Sequence, residues 1–96
     1  MCTMIVETAQ ISGSGKGQGG WFEVRQVNVS FDHPFHAQLE HAINIDFVNA
    51  SLGLDARVAV ELSPESARHL VEAIEAALAR GESEVGPGEI MVGRNG

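Results

Sequence analysis

From residue 41 onward, polar and apolar side chains alternate in two short segments. Ile43, Ile45 and Phe47 share one parity with Asn44 and Asp46 between them, and Val58, Val60 and Leu62 alternate with Arg57, Ala59 and Glu61. Period two marks a strand with one face turned inward, so the pattern predicts strands over His41–Val48 and Arg57–Leu62. Two further strands precede them. Cys2–Ile11 carries the β-branched residues Thr3, Ile5, Val6, Thr8 and Ile11, the types that pack well on a pleated surface. Trp21–Phe31 changes phase midway, with Phe22 and Val24 on one parity and Val27, Val29 and Phe31 on the other. The switch falls at Arg25-Gln26, and one extra residue there, a β-bulge, would return both apolar sets to one face.

Beyond residue 62 the period changes to that of a helix. Ser63 suits the N-cap, Pro64 the first helical position and Glu65 the positive end of the dipole. Ala67, Leu70, Val71, Ile74, Ala77 and Leu78 recur at three- and four-residue steps and make one apolar stripe. Arg80 in the last turn and Gly81 as a left-handed stop end it. The fold expected is therefore α+β: a four-stranded, mainly antiparallel sheet with one C-terminal helix packed on one face. Residues 1–81 form the single domain and 82–96 a glycine-rich tail, whose Ile90-Met91-Val92 patch could add a strand. On this phasing Asn28, Ser30, Asn44, Asp46, Arg57 and Glu61 line the sheet face opposite the helix. That face is either wet or a polar pocket reached from the preceding histidine-rich loop.

Glycine interrupts the pattern at Ser12-Gly13-Ser14-Gly15-Lys16-Gly17-Gln18-Gly19-Gly20, read as a mobile connection between the first two strands. A phosphate-loop reading fails on spacing, because no Ser or Thr follows Lys16 and a strand, not a helix, comes next. What remains is a small-anion or ligand loop with Lys16, closed by Trp21.

Charge narrows the partners. Thirteen acidic against six basic residues give a net charge of −7, which opposes approach to nucleic-acid phosphates or anionic membranes. No apolar run has transmembrane length and no signal peptide is visible. A single cysteine excludes an internal disulfide and makes a reducing cytoplasm the expected compartment. Ninety-six residues build one modest core, which self-association into a dimer or larger homo-oligomer would reinforce.

The segment richest in chemistry is Phe31-Asp32-His33-Pro34-Phe35-His36-Ala37-Gln38-Leu39-Glu40-His41, holding three of the four histidines. Imidazole is a common transition-metal ligand, and carboxylates complete many open sites. His33, His36 and His41 can therefore be read as ligands of a divalent ion (zinc, iron or copper), with Glu40, Asp32 or Cys2 completing the set. An open position would activate water or polarise a carbonyl, so an enzyme acting on a small molecule is left open. The competing reading is structural, with His33 stacked on a core aromatic ring and His36 solvated, in a non-catalytic, homo-oligomeric binding or assembly module without metal. Cys2 reads first as a buried, inert thiol, ahead of metal ligation.

The opening Met1-Cys2-Thr3-Met4-Ile5, the Gly13–Gly17 run leading to Gly20-Trp21-Phe22, Phe31-Asp32-His33-Pro34, His36, Glu40-His41-Ala42 and the strand–helix unit from Val58 to Leu78 carry a likeness. Over roughly residues 1–80 the chain resembles a family of small actinobacterial proteins of unknown function. The resemblance implies a stand-alone cytosolic protein and brings no activity, substrate or cofactor with it.

Overall fold

A computed structural model describes residues 5–85. Four strands, β1 (Ile5–Gly17), β2 (Gly20–Asp32), β3 (Ala42–Val48) and β4 (Arg57–Leu62), pair antiparallel in chain order. One 3-10 turn, Ala50–Leu52, lies between β3 and β4, and one helix, α1 (Pro64–Val85), follows. This is the α+β arrangement expected. The expected start of the first strand at Cys2 and the apolar patch at residues 90–92 lie outside the described residues.

Register confirms the phasing. Val29 faces Ile45 and Ile45 faces Val60, while Asn28 faces Asp46 and Asp46 faces Ala59. One face thus collects Val27, Val29, Phe31, Ile43, Ile45, Phe47, Val58, Val60 and Leu62, and the other collects the polar residues. On the polar face Asn28 Oδ1 accepts from Thr8 Oγ1 at 2.9 Å and from Gln26 Nε2 at 2.8 Å. Arg57 reaches diagonally to Asp46, with Nη2 at 2.8 Å and Nε at 2.9 Å from Oδ1.

Two expectations are corrected at the β1–β2 hairpin. The glycine-rich segment is strand rather than loop: pairing continues from Gly13 opposite Val24 to Gly17 opposite Gly20, leaving only Gln18-Gly19 as the turn. Gly20, at φ +113°, takes the left-handed conformation that closes it. The bulge falls where the phase change placed it, but on the partner strand. Three steps from Gln10 to Gly13 oppose two from Gln26 to Val24, so the extra residue belongs to β1. Val24 lines the same cavity as Phe47 and Val58 and is 96 % removed from solvent.

The glycines of β1 are tolerated because two of them meet close neighbours. A Cβ at Gly17 would lie 2.9 Å from the main-chain oxygen of Arg57, and one at Gly15 would lie 3.0 Å from Val24 Cγ2. The end of β1 therefore bends over onto β4, and a side chain at 17 would hold the two apart. Gly17→Ala is expected to destabilise the chain by about 1–3 kcal/mol, the usual range for forced overpacking. Urea unfolding checks it through a lowered midpoint at unchanged slope; an unchanged midpoint would remove the close approach as a constraint.

The helix is a unit of its own. It starts where the Ser63-Pro64-Glu65 signal puts it but runs through Gly81 to Val85, a second correction to an expected boundary. Gly81 is not among the glycines with positive φ, so it continues the helix instead of capping it. The loss of roughly 1 kcal/mol relative to alanine does not end a helix whose next residues, Glu82 to Val85, can extend it. Among the described residues no helix is long and apolar enough to cross a membrane.

Candidate functional site

The loop between β2 and β3 is held against the polar sheet face by one carboxylate. Glu61, near the end of β4, accepts main-chain hydrogen bonds from three successive residues. The Phe35 and Ala37 amides donate at 2.7 and 2.8 Å, and the His36 amide lies 3.1 and 3.2 Å from the two oxygens. Successive N–H groups turned to one point form a concave anion-binding nest, and here the anion is the protein's own. Pro34, just ahead of these residues, restricts the backbone leading into the bend. Bonds from Ala37 and Phe35, and then from His36 with its ring charge, hold the Glu61 carboxyl below the ordinary glutamate value.

The clamped loop walls one side of a depression of about 170 Å³, with Asp32, His33, Asn44, Asp46, Arg57 and Glu61 among its lining residues. Most of its polar groups are spoken for. Asp46 holds Arg57, Glu61 holds the loop, and Asp32 Oδ1 accepts the His33 amide at 2.7 Å. Asn44 Oδ1 is enclosed and has no hydrogen-bond partner among the described residues. A buried acceptor left unpaired costs on the order of 1–3 kcal/mol, a cost that a donor from outside would relieve.

The histidines meet only in part. His41 stacks on Phe31 with ring centroids 5.3 Å apart and planes at 13°, and His33 stacks on His41 at 5.0 Å and 25°. His33 Nδ1 lies 2.7 Å from the Glu40 main-chain oxygen; a carbonyl only accepts, so Nδ1 is the donor of this bond. Because ring lone pairs lie in the ring plane, two nearly parallel, stacked imidazoles do not aim at a shared point. His36 is tied down by its main chain while its residue is exposed, and Glu40 enters through its carbonyl. Among the described residues no group of three or more His, Cys, Asp or Glu is arranged to hold a metal ion; Cys2 lies outside them. Lys16 stands opposite Trp21 at the hairpin end, and Trp21 is 71 % exposed.

Two anchoring residues escaped the sequence reading. Phase alone put Glu61 on the polar face, but nothing local names its three amide partners, 24–26 residues away. Asn49, buried at 3 % exposure, caps the 3-10 turn: its Oδ1 accepts from the Ser51 amide at 3.1 Å and hydroxyl at 2.6 Å, while Nδ2 donates to Glu23 O at 2.9 Å. The Asn-Ala-Ser spacing of an Asx turn was the available signal.

Neither curated proteins nor solved structures give a match. A family model, however, matches residues 1–87, which takes in the whole sheet, the clamped loop and the helix. The chain belongs to that family, DUF6295, a family of unknown function.

Proposed function

We propose that the chain is a small-molecule binding module, non-catalytic, whose site is the polar depression under the clamped loop. The observation that carries the reading is Asn44 Oδ1, enclosed and without a hydrogen-bond partner among the described residues, on a residue that lines that depression. Its neighbours Asp32 and Asp46 are also acceptors, so the ligand class is one rich in N–H or O–H donors, such as a polyol or a small amine. Functional sites commonly keep such an unfavourable group at the expense of stability.

A thermal-shift screen with glycerol, glucose, ethanolamine and putrescine tests it. At a hundredfold excess over its dissociation constant a true ligand adds about 2.7 kcal/mol, read as a raised midpoint. Asn44→Val is expected to abolish that shift while leaving the free protein equally or more stable, since it removes an unpaired buried acceptor. His36→Ala should leave the shift in place. No stabilisation by any donor-rich compound, or an undiminished shift in Asn44→Val, would overturn the proposal.

A divalent metal ion (zinc, iron or copper) is the second reading, favoured by His33 alone: its Nδ1 is held by a main-chain carbonyl, the usual arrangement of an imidazole that ligates through Nε2. It requires His41 or His36 to turn toward Nε2, with Asp32, Glu40 or Cys2 completing the set. Elemental analysis of untagged protein separates the two. A stoichiometric ion lost in His33→Ala favours the metal, and its absence together with a donor-specific thermal shift favours the polar ligand. We place the module in a reducing, cytoplasmic setting on its lone cysteine. Self-association goes with it, because Trp21, Phe35, Leu52 and Leu54 are exposed while the buried apolar residues are only Val24, Ala42 and Ala56 among those described.

A further inference from the structure

Glycine inside a strand sacrifices both backbone entropy and a side chain's packing, so each such position asks for a reason. Gly17 has one in the Arg57 main-chain oxygen, and Gly15 has one in Val24. Gly13 has neither. A Cβ built on it meets nothing within 4 Å, and its φ is not in the left-handed range. Any β-branched residue would fit there and would suit a strand better. The space it leaves is a cavity of about 290 Å³ on the apolar face, whose side-chain walls are Ile11, Val24, Phe47 and Val58. Ser14 and Lys16 also border it. The bulge lies next to it between Gln10 and Gly13, and bulges are over-represented beside binding sites.

We propose that the cavity beside Gly13 is a binding site for a small, uncharged, ring-bearing molecule, distinct from the polar depression on the opposite face. The four apolar side chains offer dispersion contacts, and Lys16 is the one charged residue that borders the space. A cavity of ~150 Å³ already accommodates benzene in a protein core, so this larger one takes one or two fused rings. Gly13 is the residue that keeps it open, since any side chain at that position would occupy the ligand's volume.

Methyl and amide NMR of the full chain, titrated with indole, tests the assignment. Saturable shifts are expected at Ile11, Gly13, Val24 and Val58, with none at Asn44 or the Phe35–Ala37 amides. Gly13→Val should abolish them while the chain stays folded with an equal or higher unfolding midpoint, and Gly13→Ala should weaken binding several-fold. Shifts that fail to saturate, or that persist in Gly13→Val, would overturn the proposal. So would a Gly13→Val chain that changes its solution mass, because the space would then receive another copy.

Discussion

Asn49→Ala is expected to lower stability by about 2–4 kcal/mol, a drop in melting midpoint on the order of 10–20 °C for a domain of this size. The substitution removes the cap of the 3-10 turn, normally about 1 kcal/mol by itself. It also deletes the only side-chain donor that reaches the Glu23 carbonyl among the described residues. Since Asn49 is 97 % removed from solvent, water does not readily replace what is lost. The main chain of the same residue closes the loop by donating to Ala56 O at 3.3 Å, so a shift of its side chain disturbs both ends of the turn. Ser51→Ala, which removes only the 2.6 Å hydroxyl bond, should lose about 1 kcal/mol. Chemical denaturation orders the two variants. An Asn49→Ala midpoint within error of the parent would show that the turn is held by its backbone alone.

The second large effect is on the loop. Glu61→Gln keeps the side chain's length but leaves one accepting oxygen where there were two, and it removes the charge that three amides share. The Phe35, His36 and Ala37 amides are expected to lose most of their hydrogen-exchange protection and to move upfield, while the β1–β4 ladder stays protected. Acidifying the parent should reproduce this. The folded carboxyl titrates below its unfolded value, so the clamp is fully formed above the ordinary glutamate value and is lost as pH falls through the lowered one. Asp32, His33, Asp46 and Arg57 line the same depression, so a pH response of those amides that persists in Glu61→Gln is assigned to these surroundings and not to the clamp. Only the acid step absent from the variant therefore belongs to Glu61. Identical amide spectra for parent and variant at neutral pH would dismiss the clamp. Release of the loop should also weaken any ligand of the polar depression, because one of its walls is then no longer fixed.

Local chemistry determined the elements. The alternation at Ile43–Phe47 and Val58–Leu62, the cap signal Ser63-Pro64-Glu65 and the apolar stripe of α1 depend only on residues within a few positions of one another. The sheet, its order, its two faces and the start of the helix were therefore legible, and so was the polar set of Ser30, Asn44, Asp46, Arg57 and Glu61 from which the candidate site is built. Tertiary structure decided which of those residues meet. That the bulge falls on β1, that Gly17 lies against Arg57, that Glu61 gathers the amides of a bend some 25 residues earlier, and that His33 and His41 stack without His36 all follow from strand twist and register. These set distances between residues far apart in the chain, and no window of neighbouring residues contains them.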